Sequence, residues 1–354
     1  MALIHGLPAG SLPTTFREFA SLMLSKISPL VSLHKYSRVD VVFDRYPEYS
    51  IKTPEHHRRA STQSSFLQRI HNADQKLPVR WKNYLLSGTN KEELIEFLYR
   101  QWSIKALSGV DLYIGHGDNC HLLTCSDGQT TAVTVDLLAC DHSEADIRLS
   151  LHSQHASKTN SHVVIKSPDS DVALIALSQV GNFQATFYFE TGVKQKAKRI
   201  NLSSLSTVIG TPVSEALLGL HTFTGCDSVS AFHSKGKKKA FHLVISNKDF
   251  QAAFQTLGQH FTLPESVFAV FEQFVCELYG LSCSSVDDGR YRLLCTKALC
   301  EQSLPPSSDA LQQHVRRANY QAAISRRCAE QYISAPPQIV TGGLWKATLF
   351  PFSG

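Results

Sequence analysis

Six carboxylates stand where an α/β chain would turn from strand into helix. Asp44 follows Val41-Val42-Phe43, Glu144 and Asp146 open a helical stretch, Asp169 and Asp171 follow Val163-Val164-Ile165, and Asp227 follows Gly225. The carboxyl ends of strands line the ligand crevice of open α/β sheets, and the first turn of a helix favours anions. Taken singly, each acid reads as an ordinary cap or turn residue. Taken together in one crevice, they would repel by kilocalories at reduced dielectric unless cations held them. Hard oxygen donors in such number suit Mg²⁺ or Mn²⁺. Two such ions about 4 Å apart stabilise both the attacking and the leaving oxygen of a phosphodiester displacement.

The basic residues complement this chemistry. Lys235, Lys237, Lys238 and Lys239 surround Gly236. A glycine lets backbone N–H groups approach a phosphate, and the lysines neutralise charge beside it. The competing reading is a solvated loop or a nuclear-localisation run. Lys52, Arg58 and Arg59 could clamp the reacting phosphate, with Lys52 and Arg59 in catalytic roles. Their competing reading is an exposed amphipathic helix. Lys194 to Arg199 reads as a solvated loop. The histidines show no metal-ligand spacing, and no Gly-x-Ser-x-Gly, P-loop or dinucleotide fingerprint is present.

The elements that must position these residues follow from periodicity. Thr15-Phe16-Arg17-Glu18 is a capping-box pattern, and Phe16, Phe19, Met23 and Ile27 then share a helical face that Pro29 helps to end. Val39 to Phe43 and Val163 to Ile165 read as buried parallel strands. Leu94, Leu98 and Trp102 make the buried face of a second helix. Residues 111–135 read as strand pieces around the turn signals near Gly117 and Gly128. Ser143 caps the helix carrying Glu144 and Asp146, and Val172 to Leu177 begins another. Beyond residue 211 the pattern is helical. Strands alternating with helices predict an α/β fold with a central, mostly parallel sheet flanked by helices. The expected division is an α/β core over residues 1–210, a helical region over 211–335 and a tail over 336–354.

In this order the motifs resemble the flap-endonuclease/XPG nuclease family, within the PIN-like superfamily. Val41-Val42-Phe43-Asp44 resembles the family's second acidic strand, and Ser50 to Arg59 its basic helix. Glu144-Ala145-Asp146 is similar to the Glu-Ala-Glu motif, with Asp for the second Glu. Pro168-Asp169-Ser170-Asp171 is similar to the paired-aspartate turn. Thr224-Gly225-Cys226-Asp227 resembles the Gly-x-Asp motif that supplies the last metal carboxylate. Phe232 to Ala240 resembles the helix-two-turn-helix that holds duplex backbone. The resemblance covers about Val39 to Ala240. It implies a PIN-like core, with Asp44, Glu144, Asp146, Asp169, Asp171 and Asp227 as metal ligands for two Mg²⁺ or Mn²⁺ ions. It also implies structure-selective cleavage of branched or flapped duplex DNA, with Lys235 to Lys239 on the duplex. Two departures stand out. Nothing resembles the family's first strand with its metal aspartate, as if the chain began just after it, and the arch expected between Ser61 and Leu107 has no residue-by-residue match. The missing aspartate supports a rival expectation, a catalytically impaired nuclease fold that only binds nucleic acid. An RNA-directed PIN-type nuclease is a third.

Composition bounds these readings. The chain has 354 residues, 43% of them apolar and 18% charged, with a net charge of +5. That is enough apolar residue for a sizeable core and argues against a mostly disordered chain. No apolar run reaches membrane-span length, so no membrane partner is expected. Nine cysteines without a CxxC pair read as reduced thiols. With no signal-peptide pattern, the expected location is intracellular, the nucleus favoured over the cytoplasm.

Overall fold

The capping box closes as the sequence requires. In the computed structural model, which describes residues 12–46, 66–192, 194–296 and 303–336, Thr15 Oγ1 accepts the Glu18 amide at 3.3 Å. The Glu18 carboxylate accepts the Thr15 amide at 3.4 Å. Helix α1 (Phe16–His34) grows from it. Pro29 does not end this helix but sits inside it. The end comes at Lys35, whose backbone turns left-handed.

The described residues hold twelve helices and two mixed sheets, an α/β chain. They divide into two units. One comprises Met1–Pro168, Thr191–Lys196 and Ala329–Tyr332; the other comprises Asp169–Glu190, Ala197–Cys328 and Ile333–Gly354. The main division falls at Pro168/Asp169. The tail expected over 336–354 lies, beyond Pro336, outside the described residues.

The first unit continues with β1 (Arg38–Val42), α2 (Trp81–Tyr84), α3 (Gly88–Ile104), β2 (Asp111–His116), β3 (Asn119–Ser126), β4 (Gln129–Thr134), α4 (Ala145–Ser157) and β5 (His162–Lys166). Strands β1 to β4 form a sheet in that order. Only the β1–β2 pair is parallel, with Val41 opposite Ile114, whereas β2–β3 and β3–β4 are antiparallel. The expected mostly parallel sheet is therefore mixed. The reason is local: Gly117 and the Asp127-Gly128 pair adopt positive φ, which closes tight hairpins whose strands must run antiparallel. The core joins Phe16, Phe19 and Met23 of α1 to Leu94, Leu98 and Trp102 of α3 and to Leu112, Ile114 and Leu123 of the sheet. Trp102 satisfies its indole N–H on the Ala20 carbonyl at 3.0 Å.

The second unit holds α5 (Ser170–Leu177), β6 (Thr186–Thr191), β7 (Lys198–Asn201), α6 (Leu202–Ile209), α7 (Thr211–Phe223), α8 (Lys237–Ser246), α9 (Lys248–Thr256), α10 (Ser266–Tyr279), α11 (Val286–Thr296) and α12 (Ser308–Arg326). Its core is aromatic. Phe223, Phe254, Phe271 and Phe274 are fully buried and meet edge-on or offset at centroid distances of 4.8–5.8 Å, the arrangement that aromatic quadrupoles favour. Helices α7 and α9 touch backbone to backbone. A Cβ on Gly219 would stand 2.2 Å from the Phe254 carbonyl oxygen, so that position admits no side chain.

Candidate metal and nucleic-acid site

In the first unit, Asp44 leaves the end of β1 and meets the start of α4. Its Oδ1 accepts the Ala145 amide at 2.9 Å, and its Oδ2 accepts the Tyr46 hydroxyl at 3.2 Å. Glu144, not Ser143, is the N-cap residue of α4, and it makes no side-chain cap. An aspartate 101 residues away in sequence thus supplies the cap, satisfying one of the orphan amides of the helix start. Asp146 lies in the first turn. The structure therefore brings Asp44 to the helix start that carries Glu144 and Asp146, all three half-buried. Burial, together with the Asp44 charge, pushes the Tyr46 phenol well above its ordinary range.

Asp40, two residues into β1, is committed elsewhere. Arg38 grips it through both ends, Nε–Oδ1 at 2.7 Å and Nη2–Oδ2 at 2.8 Å, and His152 Nδ1 lies 2.8 Å from Oδ2. Burial acts to raise its pKa, but the hydrogen bonds from Arg38 and His152 outweigh that and hold it below the usual carboxylate range. Arg148 is fully buried beside this group, donating to the Gly117 carbonyl at 2.8 Å and to the Asn119 carbonyl. Gly115 makes room for both helical side chains. A Cβ there would stand 3.0 Å from Arg148 Nε and 3.0 Å from His152 Nε2.

In the second unit, Asp169 is the N-cap of α5, its Oδ1 accepting the Asp171 amide at 2.9 Å. Asp171, in the first turn, is joined by a residue the sequence reading passed over: His221 Nε2 stands 3.2 Å from Asp171 Oδ2. His221 Nδ1 is in turn 2.7 Å from Lys237 Nζ. An ammonium only donates, so Nδ1 accepts from Lys237 and Nε2–H donates to Asp171. Burial pulls the Lys237 ammonium below its ordinary pKa, with the Asp171 carboxylate opposing. The chain Lys237–His221–Asp171 fixes the direction of the carboxylate and sets a cation behind it. Asp227 is exposed, in a turn closed by the reciprocal bonds Cys226 N to Val229 O (3.0 Å) and Val229 N to Cys226 O (3.2 Å). That turn needs Gly225, whose φ is +114° and whose Cβ would meet Ala231 Cβ at 2.7 Å.

The lysine run differs from a uniform phosphate grip placed away from the acids. Lys237 belongs to the Asp171 group. Lys239 Nζ donates to the Leu278 carbonyl at 2.7 Å, and Lys235 Nζ lies 4.2 Å over the Tyr279 ring. Lys238 points from the exposed first turn of α8, behind the N-cap Gly236. Lys52 and Arg59, with the rest of the basic helix expected over 50–59, lie outside the described residues.

Of the six carboxylates, then, three stand in each unit. Their donor type is the hard oxygen that Mg²⁺ or Mn²⁺ prefers. Among the described residues, no group of three or more His, Cys, Asp or Glu side chains is gathered as a metal ion requires, and no helix is long and apolar enough to cross a membrane. His221 left one sequence signal: it lies six residues ahead of Asp227 on the helix that precedes the Gly225 turn, but its distance of 50 positions from Asp171 hides the contact. Comparison with protein-family models, with curated proteins and with solved structures finds no match for this chain.

Proposed function

We propose that the chain is a divalent-metal-dependent, structure-selective nuclease acting on DNA. The observation that carries this reading is the Asp44–Ala145 hydrogen bond. It joins the strand-end aspartate to the Glu144-Ala145-Asp146 helix start, a meeting that the resemblance requires and that linear spacing alone does not impose. The ordered Lys237–His221–Asp171 chain supports it from the second unit. Asp44, Glu144 and Asp146 of the first unit and, separately, Asp169, Asp171 and Asp227 of the second are the carboxylates this reading names as metal ligands. Bound Mg²⁺ or Mn²⁺ would supply charge neutralisation at the phosphodiester undergoing hydrolysis. His221 holds Asp171 in direction, and Lys237 offsets its charge. Lys238, at the start of α8, is the lysine best placed for duplex backbone, a contact that positions the duplex without reading its sequence.

The second reading is a nucleic-acid-binding protein without chemistry. What favours it is that both oxygens of Asp44 already accept hydrogen bonds, as in a purely structural cap. One experiment separates the two. Mn²⁺ is titrated into the full chain by calorimetry, and cleavage of flap, nicked and single-stranded DNA is followed in parallel. The nuclease reading expects measurable Mn²⁺ binding and flap cleavage, with Asp44→Asn and Asp171→Asn each lowering cleavage by roughly 10- to 100-fold, the loss typical of disturbed metal sites. Duplex binding without Mn²⁺ heat or cleavage would establish the second reading instead.

A further inference from the structure

We propose that Cys276 and Cys283 form a reversible dithiol–disulfide site that reacts with small-molecule disulfides of the glutathione type. The two sulfurs stand 3.3 Å apart. Helix α10 brings them together by the way it ends. Gly280 turns left-handed at φ +76°, and the Leu281 amide folds back onto the Cys276 carbonyl at 2.9 Å, the 6→1 closure of a Schellman end. The chain then runs back along the helix and lays Cys283 beside Cys276. Gly289 on α11 leaves room for it: a Cβ there would stand 3.1 Å from the Cys283 sulfur. A disulfide bond is about 2.05 Å long, so closure asks the sulfurs to approach by roughly 1.3 Å, within reach of side-chain rotation.

The two thiols differ in access, and that sets the order of events. Cys276 is buried and Cys283 is half-buried. Burial, reinforced by the Cys283 neighbour, pushes the Cys276 thiol up to about 12, so Cys283 is the thiol that meets reagent. Its thiolate attacks one sulfur of glutathione disulfide, whose S–S bond breaks and releases one glutathione thiolate. Cys276 then gives up its proton and attacks the Cys283 sulfur of the mixed disulfide, releasing the second glutathione. Two thiols become one disulfide, and two electrons and two protons pass to glutathione. The bridge forms at the end of α10 that anchors the lysine run, since Leu278 accepts from Lys239 and Tyr279 lies under Lys235.

The test incubates the full chain in glutathione buffers of graded oxidation, quenches with acid, alkylates the free thiols and maps the peptides by mass. In oxidising buffer we expect a Cys276–Cys283 cross-linked species lighter by two hydrogens, reversed by excess reduced glutathione. Cys276→Ser should stop the reaction at a glutathione adduct on Cys283. Cys283→Ser should leave Cys276 alkylated and free of glutathione, with exposed Cys295 as the reactive control. Alkylation of both cysteines in every buffer would overturn the assignment, as would a glutathione adduct on Cys283 of the unsubstituted chain that never proceeds to the bridge.

Discussion

Asp40, held through both oxygens by Arg38 and His152, allows a direct test that separates a structural carboxylate from a metal ligand. Here its side chain is 15% exposed and that of Arg38 is 9%; His152 is 2% exposed. Asp40→Ala leaves a guanidinium and an imidazole without their common partner. Breaking a buried pair from one side costs about 3–5 kcal/mol, and the residual exposure of Asp40 places the loss near the low end, about 3 kcal/mol. For a unit of about 150–250 residues, each kcal/mol lowers the melting temperature by roughly 2–4 °C. The expected fall is therefore roughly 6–12 °C, read by differential scanning calorimetry. Mn²⁺ titration of the same sample should match the unsubstituted chain. The pH profile carries a second signature. Because the carboxylate is held below its ordinary range, its stabilisation is complete above the unfolded value near 3.9 and fades as pH falls through the lower folded value. Asp40→Ala should remove that acid limb. An unchanged melting temperature combined with lost Mn²⁺ binding would instead make Asp40 a metal ligand.

Two further outcomes are expected. Lys239→Gln gives up the bond to the Leu278 carbonyl and should cost about 1 kcal/mol, whereas Lys238→Gln should leave thermal stability unchanged and flatten the salt dependence of duplex binding by about one phosphate contact; the opposite pattern would mean that the run acts as a uniform grip. Burial lowers His116 to about 4, Glu96 opposing, so this histidine is neutral in the fold and charges on unfolding. Its contribution to stability is intact above the unfolded value of about 6.5 and lost as pH falls from there toward 4. Between pH 8 and pH 5 the loss is about 2 kcal/mol, less about half for partial solvent screening. Urea denaturation should show it, and His116→Phe should abolish that part of the pH dependence.

What the sequence determined by itself is what local chemistry determines. The capping box at Thr15, the buried faces of α1 and α3, the α5 start behind Asp169 and the glycine end of α10 all arise from residues within one or two turns of each other, where propensity, capping and periodicity act directly. The positions of Asp44, Glu144, Asp146, Asp169 and Asp171 at strand ends and helix starts were legible for the same reason. Tertiary structure decided the rest. Asp44 caps a helix 101 positions away, and Asp171 is joined across 50 positions by His221. Two lysines of a run that its sequence offers to phosphate instead bond to His221 and to the end of α10. Side-chain type and spacing fail there because a hydrogen bond depends on where the backbone brings two groups, and that is set by core packing of elements far apart in the chain. The mixed sheet shows the same division. Its strands were readable from apolar runs, but their pairing direction followed from hairpin closure and from which strand β1 joined.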